Sequence, residues 1–185
     1  MPLKRSQSIN VVQGQYRISG SPDVVFTTIL GSCVATCLYD PIACIGGINH
    51  FLVPGLENER SGELKYGINA MELLINSLIQ NGATKSNLRI KLFGGAKTSL
   101  GRHNVGEANT NFARWFTENE GIPVTNQCIG GNLGRKIRFW PYTGRAQRLF
   151  LQSEQSATET PTAIEASIGE PRTHNSRRHG AVTLF

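Results

Sequence analysis

The longest unbroken stretch of β-branched and aromatic residues near the start of the chain is Val24-Val25-Phe26-Thr27-Thr28-Ile29-Leu30, a composition suited to a pleated, packed surface. Gly31 supplies backbone freedom where this strand must stop, so Cys33 falls on a turn. A second apolar run over 34–39 is closed by Asp40-Pro41. A third over 44–52 carries His50, with Gly46-Gly47 near its start. The period then changes: Ile68, Met71, Leu74, Ile75, Leu78 and Ile79 recur at helical spacing, and Asn81-Gly82 gives a stop, predicting a helix over 66–81. Residues 88–93 read as a strand ending at Gly94-Gly95. A second helix is expected over 107–120, with Ala108, Phe112, Trp115 and Phe116 inward and Gly121 ending it. Strands over 122–129 and 135–140 flank the Gly130–Gly134 turn, and 142–151 adds another.

The polar stretches complete the outline. Residues 1–9 form a leader without pattern, and 11–12 with 15–19 read as a first strand or hairpin. Residues 54–63 form an exposed loop placed to border the mouth of a site near His50. After Leu151 periodicity ends and Ser, Thr, Glu, Pro and Ala dominate. The expected organisation is therefore one α+β domain, 1–151, and a disordered or loosely docked tail, 152–185, whose last residues, Val182 to Phe185, are expected to fray.

With 185 residues, 39% of them hydrophobic, the chain can build one core without disulfide staples. No run approaches the ~20 apolar residues of a membrane span, and the opening Met-Pro-Leu-Lys-Arg lacks the apolar segment of a secretory signal. A cytoplasmic protein is expected, with Cys33, Cys37, Cys44 and Cys128 as thiols. The +6 formal charge resides in residues 1–151, which carry +7 against −1 for the remainder, and this favours an acidic partner. Arg135, Lys136, Arg138, Arg145 and Arg148 interleave with Phe139, Trp140, Tyr142 and Phe150. That pattern fits either a nucleic-acid face or an amphipathic hairpin with buried aromatics and solvated cations, and strand alternation favours the hairpin.

The chemistry centres on Cys33. A turn after a strand leaves backbone N–H groups that can stabilise a thiolate and later an oxyanion. His50, 17 positions on, lies on a return strand that can bring an imidazole to that thiol. Zinc binding by Cys33, Cys37, Cys44 and His50 is disfavoured, because Cys37 and Cys44 sit within apolar strand patterns and not in tight knuckles. No cofactor or metal is called for. His103 has no motif tying it to Cys33 and reads as a surface histidine. The Gly94-Gly95 and Gly130-Gly131 pairs lack the context of a phosphate loop and are better explained by close backbone packing near the active turn.

These motifs, Thr27 to Cys33, Asp40-Pro41 and Gly46-Gly47-Ile48-Asn49-His50-Phe51-Leu52-Val53-Pro54, resemble the CheD family of chemoreceptor glutamine deamidases. The resemblance continues through Lys65-Tyr66 into Ala70-Met71-Glu72-Leu73-Leu74-Ile75-Asn76, then Lys91-Leu92-Phe93-Gly94-Gly95-Ala96, Asn104-Val105-Gly106 with Asn109, and Gly130-Gly131-Asn132-Leu133-Gly134-Arg135-Lys136. It spans roughly residues 10–150 in order. It implies an α/β/β layered sandwich with mixed and antiparallel sheets and two main helices. It also implies hydrolysis of receptor glutamine side chains to glutamate, with Cys33, His50 and Thr27 as the working residues. Implied partners are chemoreceptor helices as substrate and a CheC-type phosphatase, with no nucleic acid and no membrane insertion; glutamyl methyl ester hydrolysis is a feasible second activity. From the residues alone Thr27 is equally a packed strand residue, with Thr28 beside it as the control. The rival classes are a non-catalytic chemotaxis regulator that binds the phosphatase or receptor, and an RNA-binding module.

Overall fold

The computed structural model describes residues 6–53, 61–97, 105–151 and 182–185. The strands are β1 (Gln7–Asn10), β2 (Tyr16–Ser19), β3 (Val24–Leu30), β4 (Val34–Asp40), β5 (Ile45–Phe51), β6 (Arg89–Gly94), β7 (Val124–Ile129), β8 (Arg135–Trp140), β9 (Arg145–Phe150) and β10 (Val182–Leu184); the helices are α1 (Ser61–Gln80) and α2 (Val105–Glu120). One sheet has the order β1-β3-β8-β9-β10 and the other β2-β5-β4-β6-β7.

Alternation along β4 shows how the layers stack. Val34 and Leu38 join Leu74, Leu78 and Phe112 in a core between the second sheet and the helices. Ala35 and Cys37 join Phe26, Leu30 and Phe139 in a core between the two sheets. Both faces of β4 and β5 are thus covered, which is why their sequences read as continuous apolar runs and not as alternation. The expected α/β/β sandwich is the observed architecture.

Sheet membership was hidden in two short connectors. Residues 7–9, expected as patternless leader, form β1 together with Asn10, and the strand runs parallel to β3 with Asn10 opposite Thr27. β2 pairs with β5 in the other sheet, so no first hairpin exists; residues 11–15 cross between layers. Gly31-Ser32-Cys33 makes the same crossing from β3 to β4. Helix α1 begins at Ser61, inside the stretch expected as loop. Trp115, expected inward, is 45% exposed. At about 100° per residue it lies roughly 160° around α2 from fully buried Ala113, leaving its ring to lean on Phe112 at 6.0 Å between centroids.

The expectation of a frayed end is also corrected. β10 pairs antiparallel with β9, and Phe185 exchanges both main-chain hydrogen bonds with Ala146, at 2.7 and 2.8 Å. The Phe185 ring packs edge-on against Phe93 at 5.6 Å between centroids. The remainder of the tail, 152–181, lies outside the described residues, as do His103 and most of the 54–63 loop.

Asp40 shows how a turn is secured. Its carboxylate accepts the N–H groups of Ile42 at 2.8 Å, Ala43 at 3.0 Å and Thr84 at 2.9 Å. Burial alone would raise this carboxyl, but those donors, with the Asn87 side chain, more than offset it and hold the group below its ordinary range. Asp40→Ala orphans three donors at once and is expected to cost about 2–4 kcal/mol, read from the urea midpoint at unchanged slope.

Candidate active site

The crossing turn is held from behind by its carbonyls. The Ala96 N–H donates to Gly31 O at 2.8 Å, the Gly95 N–H to Cys33 O at 2.7 Å, and the Asn109 side-chain amide to Ser32 O at 3.0 Å. Asn109 is fully buried, and its own oxygen accepts the Val53 N–H at 2.6 Å, tying the turn to the chain just beyond β5. At Gly94, where φ is 116°, a Cβ would overlap the Cys33 carbonyl, so only glycine fits. The second glycine pair backs the first: Gly130 N–H donates to Gly94 O at 2.9 Å and Lys97 N–H to Gly131 O at 2.7 Å. Close backbone packing is the role of Gly94 and Gly95, whereas Gly130 and Gly131 have open space around them and are glycines for their left-handed φ of 78° and 75°.

Arg135 secures that second turn. It is 1% exposed, and its guanidinium donates to the carbonyls of Cys128, Gly130 and Leu133. Of the cations expected to be solvated, this one is instead a buried clamp. Arg145 and Arg148 lie over the rings of Trp140 and Phe150, at 4.1 and 3.8 Å from the centroids.

His50 enters from β5, opposite Ala35 of β4. Cross-strand partners share a face, so His50 and Ala35 lie on one face of the sheet, and Cys33 sits on the turn that leads into β4. That face looks into the space between the sheets: Cys33 packs against the inter-sheet core, and Ala35 and Ile48 belong to it.

The imidazole is oriented from the opposite sheet. Thr28 Oγ1 lies 2.9 Å from His50 Nδ1 and donates its single hydrogen to Val11 O at 2.7 Å. The contact to His50 must therefore run from Nδ1–H to Oγ1, with Val11 O a further acceptor 3.4 Å from Nδ1. This fixes the tautomer. Nε2 holds the lone pair, and it is buried without a protein partner. Burial holds the ring's pKa below its ordinary value, only partly countered by the Val11 carbonyl, so His50 is a neutral base near pH 7.

The threonine implied by the family spacing, Thr27, is not the one whose hydroxyl meets His50. Thr27 pairs with Arg138 across the sheet and gives its carbonyl to the Val11 N–H at 2.8 Å, while alternation turns its side chain to the face opposite Thr28. Six positions back from the cysteine stands Thr27; the parity of β3 puts the hydroxyl of Thr28, one residue on, against His50.

Cys33 is half-buried, and burial pushes its thiol above the ordinary value while its own N–H pulls the other way. Its Sγ donates to Gln13 Oε1 at 3.4 Å, a neighbour whose one signal along the chain is the polar break Gln13-Gly14-Gln15 in an apolar pattern. Cys37, by contrast, is sealed in the core with its thiol pKa raised strongly by burial. A cleft of ≈ 580 Å³ between α2 and β7, lined by Arg114, Glu118 and Asn126 among others, contains none of these groups. What the site offers is a thiol on a clamped turn and an oriented neutral imidazole, both bordering the space between the sheets.

Comparison with known proteins identifies relatives of this chain. The family described as CheD chemotactic sensory transduction matches residues 54–148. A protein of Agrobacterium fabrum named "Probable chemoreceptor glutamine deamidase CheD" is 52% identical over 161 residues, covering 86% of this chain and 88% of that one. A Rhizobium rhizogenes protein of the same name is 45% identical, with the same coverage. Among solved structures, the Bacillus licheniformis hypothetical protein YfiH superposes with a TM-score of 0.43 at 13% identity, covering 70% of this chain and 60% of that one. The chain belongs to the CheD family.

Proposed function

We propose that this protein hydrolyses glutamine side-chain amides of chemoreceptors to glutamate, with Cys33 as nucleophile and His50 as the proton carrier. The observation that carries the reading is the Thr28–His50 hydrogen bond, which leaves Nε2 unprotonated at the space between the sheets that the Cys33 thiol also borders. His50 Nε2 takes the Sγ proton as sulfur attacks the amide carbon. The resulting oxyanion is received by N–H groups of the Ser32-Cys33 turn. Collapse breaks the C–N bond, the imidazolium protonates the departing ammonia, and a thioester remains. His50 then takes a proton from water, hydroxide displaces the sulfur, and the product is glutamate. The cytoplasmic location, and a CheC-type phosphatase as a second partner, belong to this same proposal.

The direct test is mass spectrometry of a purified receptor cytoplasmic fragment incubated with the protein under reducing conditions. Conversion of a glutamine appears as a gain of about 1 Da with release of ammonia. No gain, with a folded receptor and reduced thiol, would sink the reading.

Within it, the two threonines separate cleanly. Thr28→Val removes the acceptor that fixes the His50 tautomer and is expected to lower kcat about ten- to a hundredfold. Thr27→Val is expected to stay within about twofold, because its contacts to the site run through the main chain. Equal losses in both variants would place the orienting role elsewhere.

A further inference from the structure

The segment joining β1 to β2 lies against the base and the nucleophile together. The Gly14 N–H donates to His50 O at 2.7 Å and the His50 N–H donates to Gln15 O at 3.0 Å, so the strap is hydrogen-bonded to the base's own backbone at residues 14 and 15. Gly14 adopts φ 83°, a left-handed conformation that bends the strap at that point. The preceding residue, Gln13, is exposed, yet its side chain reaches the Cys33 sulfur.

A carboxamide has a property no other neutral side chain matches here: one carbon bears both an acceptor and a two-hydrogen donor. In the resting site Sγ–H is a donor and meets Gln13 Oε1. Once that proton moves to His50, sulfur becomes an acceptor and Oε1 faces negative charge. A turn about the last side-chain bond then presents the Gln13 NH2 to sulfur. The oxyanion forms on the carbon that bonds to sulfur, so a donor that reaches the sulfur also reaches the oxyanion's surroundings.

We propose that Gln13 is a further catalytic residue of this reaction, its amide accepting from the resting thiol and donating to the thiolate and the substrate oxyanion; this rests on Cys33 being the nucleophile. Gln13 thereby supplements the backbone donors of the turn with one side-chain donor carried on a separate segment.

The test uses the full chain with Gln13→Met, which keeps length without polarity, and Gln13→Glu, which keeps the acceptors but removes the donor. Gln13→Met is expected to lower kcat about ten- to a hundredfold with KM within about threefold, below the cost of losing a fully enclosed oxyanion donor. Its melting temperature should stay at the wild-type value, as befits an exposed side chain. Gln13→Glu is expected to lose more activity and to move the pH midpoint for iodoacetamide alkylation of Cys33 upward, since a carboxylate beside sulfur disfavours the thiolate. A Gln13→Met enzyme with wild-type kcat overturns the proposal. So does finding glutamate at position 13 in the wild type but not in Cys33→Ala, which would make the residue a self-substrate. Retained activity in Cys33→Ala would overturn the nucleophile assignment and this proposal together, whereas an inactive Cys33→Ala beside an unimpaired Gln13→Met overturns this proposal alone.

Discussion

Cys33→Ala is expected to reduce glutamine conversion by at least about 10⁴-fold, to the background of water attack, while leaving the fold and receptor binding in place. The expectation of a stable variant follows from position. Cys33 lies at the border of the inter-sheet core, half-buried, and the turn that carries it is fastened through the carbonyls of residues 31–33, none of which depends on the sulfur. Loss of one sulfur there removes little packing. Cys33→Ser should be nearly as inactive, because a hydroxyl is a far weaker nucleophile at neutral pH than a thiol of similar size. Cys37 cannot stand in: it lies four residues on in the core between the sheets, where it is sealed and burial holds it protonated. The measurement is ammonia release and receptor mass from Cys33→Ala beside a binding assay on the same preparation. Unchanged ammonia release would remove the mechanism. Loss of conversion with binding retained would separate an enzyme from a protein that merely binds chemotaxis partners.

Strand identity was legible in the sequence both where a strand is covered on two faces, as β4 and β5 are, and where burial alternates along it, as in β8. Val24–Leu30 and Arg135–Trp140 coincide with β3 and β8, and residues 34–39 and 44–52 with β4 and β5 to within a residue. What local composition does not encode is which sheet a strand joins. The crossings at 11–15 and 31–33 are only a few residues long and look like ordinary hairpin turns, yet each changes layer. β1 escaped notice because Gln7-Ser8-Ile9-Asn10 is an edge strand held mainly by main-chain bonds to β3, with few apolar side chains to announce it. The three residues of β10 are fixed the same way. Of the proposed site, Cys33 and His50 were readable from turn chemistry and spacing. Thr28 needed the parity of β3, and Gln13 needed the path of a strap that leaves one sheet and lands beside His50 in the other.

His50→Gln should lower kcat by about 10²–10⁴-fold, the usual contribution of a positioned general base, and the pH profile of the wild type should say which form of the pair is active. Burial acts on both members in the direction that opposes charge: it lowers His50 and raises Cys33. A resting thiolate–imidazolium pair is therefore disfavoured, and the site rests as neutral thiol and neutral imidazole. The sign of the pH dependence follows. Activity requires unprotonated Nε2, so kcat/KM should rise with pH through a midpoint below the ordinary histidine value of about 6.5 and then stay level past pH 8. An ion pair formed in advance would instead give a bell, falling once the imidazolium is lost, and would make Cys33 react rapidly with iodoacetamide at pH 6. Slow alkylation at pH 6 that accelerates only above about pH 8.5 is the result expected here. A bell-shaped profile with fast alkylation in acid would reverse the assignment of charge. The cost of reaching the ion pair would then fall on the resting enzyme, and the buried, unpartnered Nε2 would have to be protonated before substrate arrives.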